Sequence, residues 1–168
     1  MTGSAKPALR DSALVWLALS IVVIALDQWT KQVALGALEY NRPVPVIDGV
    51  LNWTLLYNYG AAFSFLGNAG GWQKWLFSGL AVVISSLLAY WLSRLPRADW
   101  KQALPFALVI GGAVGNLIDR LRFGYVVDFI DVYYDVHHWP AFNIADSAIV
   151  VGAVLIAISG FGAREAAK

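Results

Sequence analysis

A membrane protein with a core of four transmembrane helices and a small β-structure on its outer face is the fold class that this sequence predicts. Three observations carry that expectation. Of the 168 residues, 59% are hydrophobic and only 14% charged, with a mean hydropathy of +0.61, which is more apolar than a soluble domain of this size. The apolar residues gather into four runs of about 20, the length a helix rising ~1.5 Å per residue needs to cross the hydrocarbon. Between the first two runs, short β-branched and aromatic stretches flank an Asp-Gly pair, which is a hairpin signal.

The elements follow in order. The first span covers residues 12–33. Lys6 and Arg10 precede it, and Ala34-Leu35-Gly36 has the look of a cleavage site. But Asp27, Lys31 and Gln32 interrupt the stretch before that site, which is wrong for a cleaved signal peptide, so the helix is expected to be retained. Residues 40–66 hold the outer β-structure: Pro43 to Val50 and Leu51 to Tyr57 form two arms broken at Asp48-Gly49. Asn58-Tyr59-Gly60-Ala61-Ala62-Phe63 follows, and Gly67, Gly70 and Gly71 mark a turn. The remaining spans cover 72–91, 103–121 and 141–161, all within one domain over 1–168.

Orientation comes from basic residues. Lys6, Arg10, Arg94, Arg97, Lys101, Arg164 and Lys168 are seven of the twelve, and all fall on one side of a four-span chain. That side is cytoplasmic by the positive-inside rule, so both termini are inside and the connections 34–71 and 122–140 are outside. Trp16, Trp29, Trp72, Trp91, Trp100 and Trp139 lie near span ends, where interfacial aromatics belong. A net charge of +1 gives no footprint for nucleic acid, and the absence of cysteine excludes disulfides and thiolate chemistry.

Four acids then stand out. Asp27 lies roughly 22 Å up the first helix and Asp119 roughly 24 Å up the third, both in the outer third of a core ~30 Å thick. Asp128 lies just beyond the outer end of the third span, and Asp146 just inside that of the fourth. Carboxylates at such depths are costly and usually functional. Asn116, Asp119 and Arg120 share one helix face, below a glycine series whose Gly111 and Gly115 admit a close helix. Asp27 and Lys31 are an i, i+4 pair. For Asp27–Lys31 and Asp119–Arg120, a structural ion-pair network is the plainer reading. For Asp128 and Asp146, the plainer reading is helix capping, with Asn143 three residues before Asp146.

The alternative for Asp128 and Asp146 is a dyad sharing one proton, one carboxylate activating water and the other donating to a carbonyl. Such chemistry needs neither metal nor cofactor, and no HExxH or GxSxG string is present. His137-His138 is an adjacent pair beside Trp139 and reads as outer surface rather than a metal site. A proton-coupled transporter would also use intramembrane acids, but these cluster at one leaflet and form no ladder. A non-catalytic scaffold with structural carboxylate pairs is the third class.

Five strings together resemble one family: Asp27-Gln28-Trp29-Thr30-Lys31, Asn58-Tyr59-Gly60-Ala61-Ala62-Phe63, Gly111 to Arg120 (GGAVGNLIDR), Val126-Val127-Asp128-Phe129 and Phe142-Asn143-Ile144-Ala145-Asp146. Their order is that of the lipoprotein signal peptidases (signal peptidase II), aspartic endopeptidases of the bacterial cytoplasmic membrane. The resemblance implies that Asp128 and Asp146 are catalytic. It places Asn58, Gly60, Asn116, Asp119, Arg120 and Asn143 around the site, and Asp27 (with Lys31 in the same string) in a structural role. It implies a four-helix membrane fold with an outer β-cradle and a short periplasmic helix. The implied substrate is a diacylglyceryl prolipoprotein, cut just before its lipidated cysteine at the outer leaflet. Membrane lipids and globomycin-type inhibitors are the other implied partners, and a monomer is expected.

Overall fold

The computed structural model describes residues 8, 11–60 and 70–165. The Ala61-Ala62-Phe63 string, the Gly67 turn and Lys6, Arg10 and Lys168 lie outside them. A 3-10 turn over Ala13–Trp16 opens the fold, and the Ser12 side chain accepts from Leu14 N at its start. It runs into α1, Leu17–Ala37. Backbone bonds from Ala13 N to Leu95 O (2.9 Å) and from Arg97 N to Asp11 O (2.8 Å) strap this start to the turn after α2. α2 covers Gln73–Leu92, α3 Trp100–Phe123 and α4 Ile144–Glu165. The 13–37 stretch, α2 and α3 are long and apolar enough to cross a membrane.

Burial divides the helices by role. On α1, α2 and α4, large apolar side chains such as Ile21, Val22, Val82, Val83, Val150 and Val154 are exposed, as expected where lipid replaces water. α3 is the central helix, packed by α1, α2 and α4. Its glycines explain how. A Cβ on Gly111 would lie 2.7 Å from Val23 Cβ of α1, one on Gly115 2.7 Å from Asp27 Oδ2, and one on Gly112 would strike the Ala145 carbonyl of α4. The stripe therefore admits two helices, α1 on one flank and α4 on the other, where its spacing alone predicts one.

A four-stranded antiparallel sheet, ordered β1-β2-β3-β4, caps the end where α1 and α3 finish and α4 begins. β1 (Val44–Ile47) and β2 (Leu51–Asn58) are the predicted hairpin, turned at Gly49 with φ +79°. β3 (Val126–Tyr134) and β4 (His137–His138) come from the second connection, so the sheet is larger than the 40–66 segment that the sequence pointed to. Leu56 pairs with Asp128 and Asn52 with Asp131, with a bulge in β2 between Trp53 and Leu56. Gly124, at φ +86°, closes α3 and turns the chain directly into β3. Among the described residues neither connection contains a helix.

Close packing at the stripe gives a testable contrast. Gly112→Ala must displace a backbone carbonyl, an overpacking cost of about 1–3 kcal/mol, and lowers the thermal midpoint in detergent. Gly36→Ala meets nothing within 4 Å and leaves the midpoint unchanged or higher. Equal midpoints for the two variants would mean that α4 does not approach α3 at Gly112.

Candidate active site

The polar end of the bundle is organised around one ammonium. Lys31, 1% exposed, lies 2.8 Å from Asp27 and 2.9 Å from Asp119, and donates to Asn116 Oδ1 at 3.0 Å. The i, i+4 spacing on α1 accounts for the first contact, and the close α1–α3 approach at Gly115 for the second. Asp119 thus pairs with Lys31 rather than with its neighbour Arg120, which corrects the pairing read from the sequence. Gln28 completes the cluster, donating from Nε2 to Asp119 Oδ1 (2.8 Å), to Asp27 Oδ2 (3.2 Å) and to Gly115 O (3.2 Å). Sequence reasoning gave Gln28 no role, although it stands beside Asp27 in the first string.

Each buried acid also holds the backbone one residue before one of the two outer aspartates. Asp119 Oδ2 accepts from Val127 N at 3.0 Å, and Asp27 Oδ1 from Ala145 N at 2.9 Å. Asp128 and Asp146 are therefore positioned from the same cluster, one at the start of β3 and the other at the start of α4.

Asn143 sits between those two carboxylates. It is wholly buried, and its Nδ2 donates to Asp128 Oδ1 at 2.7 Å. Asp146 N donates to Asn143 Oδ1 (2.9 Å) while Asn143 N donates to Asp146 Oδ2 (3.3 Å), a reciprocal capping box at the N-terminus of α4. The capping reading of Asp146 therefore describes a real contact. Its other oxygen, Oδ1, accepts from Asn116 Nδ2 at 2.7 Å. Asn58 donates to Asp128 and accepts from Gly60 N at 3.0 Å.

Burial raises the Asp128 carboxyl from 3.8 to about 8, the charge of Asp146 adds to the effect, and Asn58, Asn143 and Lys31 oppose it. The strand position explains this: Asp128 is 2% exposed and lies beside a second carboxylate.

Asn58, Gly60, Asn116, Arg120 and Asp146 open onto a cavity of about 650 Å³. Its walls are Phe77, Leu80 and Ile84 of α2, Ile149 and Val150 of α4, and the Trp139–Phe142 segment. The Arg120 guanidinium lies 5.1 Å from the Phe77 ring centroid and donates to Gly60 O at 3.2 Å, so it projects donors into an otherwise apolar space. Asn143 and Asp128 lie behind that lining: Asn143 bonds to Asn116 and Asp146, and Asp128 to Asn143. Among the described residues no cluster of three or more His, Asp or Glu could hold a metal ion. Asp146 stands at the wall of a largely apolar cavity and Asn143 joins it to the more deeply buried Asp128, an arrangement that suits water-mediated attack on a carbonyl held beside a lipophilic group.

Known proteins match over most of the chain. A family model described as signal peptidase (SPase) II matches residues 19–162. The lipoprotein signal peptidase of Xanthomonas campestris pv. campestris (strain 8004) is 64% identical over 151 residues, 90% of this chain and 90% of that protein. That of Xylella fastidiosa (strain 9a5c) is 58% identical over 160 residues, 95% and 96% of the two chains. A solved bacterial membrane enzyme has a similar fold with a TM-score of 0.78, at 31% identity over 92% of each chain.

Two expectations follow from the electrostatics. Lys31→Met leaves two buried carboxylates without their cation, a loss of about 3–5 kcal/mol that thermal unfolding reads directly; Arg42→Ala, in an exposed pair with Glu39, changes little. The second concerns Asp128. A carboxyl whose pKa is higher in the folded state stabilises the fold fully below its unfolded value, and that contribution fades as pH rises through the folded one. Asp128→Asn removes the dependence, so its midpoint should gain on wild type as pH is raised from about 5 to about 8. A pH-independent difference would mean that Asp128 is not held protonated.

Proposed function

The chain belongs to the signal peptidase II family, and on that premise we propose that Asp128 and Asp146 are the catalytic pair of an aspartic endopeptidase that removes signal peptides from diacylglyceryl-modified prolipoproteins. The observation that carries this reading is Asn143, buried between the two carboxylates and bonded to both. It holds them in one frame while their surroundings differ.

From that difference we infer the roles. Asp128, buried on β3, carries the shared proton. Asp146, in the α4 capping box with donors on both oxygens, serves as base. Asp146 takes a proton from water as the water oxygen attacks the scissile carbonyl carbon, and Asp128 gives its proton to the carbonyl oxygen. In the collapse of the tetrahedral diol, Asp146 passes its proton to the leaving nitrogen, the C–N bond breaks, and Asp128 recovers a proton from the diol. Both carboxyls return to their starting states, and one water is consumed.

The cavity takes the apolar part of the substrate, and Arg120 and Asn116 supply donors at its mouth. A substrate anchored by its acyl chains arrives with the scissile bond already at this depth, which lowers the orientation cost of the reaction. In this reading all four helices cross the cytoplasmic membrane as a single domain. Both termini are cytoplasmic, the sheet lies at the outer leaflet, the chain acts as a monomer, and globomycin-type cyclic peptides compete for the cavity. The transporter alternative needs carboxylates spread across the membrane, whereas Asp27, Asp119, Asp128 and Asp146 meet at one end.

Cleavage of a diacylglyceryl prolipoprotein in detergent micelles is the test. Asp128→Asn and Asp146→Asn each should lower kcat by about a hundredfold or more while still folding and unfolding cooperatively. Near wild-type turnover in either folded variant would remove that residue from the catalytic pair.

A further inference from the structure

A second polar cluster lies away from the cavity, on the sheet. Asp131 is only 4% exposed and its carboxylate meets donors from two strands. Oδ2 accepts from Thr54 Oγ1 (2.9 Å) and Asn52 Nδ2 (3.2 Å) of β2, and Oδ1 lies 2.7 Å from Nδ1 of His138 on β4. Burial alone works against the ionised form, yet the bonds from His138, Asn52 and Thr54 outweigh it and hold Asp131 below the ordinary carboxylate range. With Asp131 accepting, His138 donates through Nδ1–H. The ring also stacks on Tyr133, at 5.2 Å and 12°, whose hydroxyl accepts from Gly49 N at 2.8 Å.

The path of the chain gives this cluster a consequence. After β4 the backbone turns back along β3: Trp139 N donates to Val132 O at 2.8 Å, Phe142 N to Ile130 O at 3.1 Å, and Phe142 O accepts from Ile130 N at 2.9 Å. Trp139, Pro140, Ala141 and Phe142 form one wall of the cavity, and the next residue is Asn143. His138 is thus the side-chain anchor for a strap of four residues that ends on the amide bridging Asp128 and Asp146. Asp131 lies on the strand that carries Asp128, three residues further along.

We propose that Asp131 and His138 are positioning residues, a latch that fixes the 139–142 strap against β3 and so sets both the cavity wall and the place of Asn143. The latch acts on the reaction only through Asn143 and the wall, and its catalytic consequence rests on the aspartate-pair reading above. Neither side chain touches the substrate.

The test uses the full-length enzyme in micelles, with amide hydrogen exchange read beside prolipoprotein cleavage. His138 is partly exposed, so His138→Ala should fold with a midpoint near wild type. It should nevertheless exchange faster at Trp139 and Phe142, leave the exchange of α1 and α3 unchanged, and lose about 10- to 100-fold in kcat/KM. His138→Asn restores an N–H donor close to the position of Nδ1 and should recover most of both signals. Asp131→Ala should show the same faster exchange at Trp139 and Phe142 with a lower midpoint, because it also frees Asn52 and Thr54, and the double variant should be no worse than Asp131→Ala. Wild-type exchange in His138→Ala overturns the latch. So does failure of His138→Asn to rescue, because the imidazole itself would then be required. A wild-type enzyme that cleaves nothing would sink the peptidase reading, while the exchange data would still judge the latch.

Discussion

The buried ammonium of Lys31 is the interaction on which the rest of the polar end depends. It touches Asp27, Asp119 and Asn116, and each of these contacts continues to one of the two outer aspartates or to the residue before it. Asp119 reaches Val127 N, Asp27 reaches Ala145 N, and Asn116 reaches Asp146 Oδ1. Removing the cation would free two acids and, with them, the backbone beside both aspartates. This explains why so costly a group is kept at the end of an apolar bundle. Three ionised groups out of water are poor stabilisers compared with packed hydrocarbon, but hydrocarbon could not orient two N–H groups on different elements.

Such a cluster requires short distances between helices, and the glycines of α3 provide them. With Gly115 against the Asp27 carboxylate and Gly112 against the Ala145 carbonyl, α1 and α4 both come close enough for side chains as short as aspartate to bridge them. A methyl group at either place would push the helices apart by more than a hydrogen bond tolerates. Packing and electrostatics are therefore one constraint: the glycine stripe sets the separation, and Lys31, Asp27 and Asp119 occupy it.

Much of this was legible in the sequence, for physical reasons. Apolar run length revealed the helices, Asp48-Gly49 revealed the β1–β2 hairpin, and depth along the helices brought Asp27, Asp119, Asp128 and Asp146 to one level. What was not legible depended on contacts between elements. Nothing local says that Asp119 prefers Lys31 on another helix to its neighbour Arg120, or that Gln28 bonds to both acids. β3 was missed although Val126 to Tyr134 is rich in β-branched and aromatic residues, because its first half, buried on both faces, shows no alternation. His137-His138 read as surface; only the β3–β4 pairing brings His138 to Asp131.

The two outer aspartates show how one fold gives identical side chains different surroundings. Asp128 is carried by a buried strand, where desolvation and the neighbouring charge raise its carboxyl above the ordinary range. Asp146 is at the start of a helix, in a capping box with Asn143 and with a second donor from Asn116. The same amide, Asn143, contributes to both environments: its side chain donates to Asp128, and its backbone N–H and carbonyl Oδ1 close the box with Asp146. Any displacement of Asn143 therefore takes a donor from both carboxylates at once. A site built this way has to fix that one residue from several sides. It is held from α3 through Asn116, from β3 through the Val127 carbonyl, and from the strap through Phe142. The surroundings of the two aspartates are thus decided by backbone placement, and backbone placement by the buried charge beneath it.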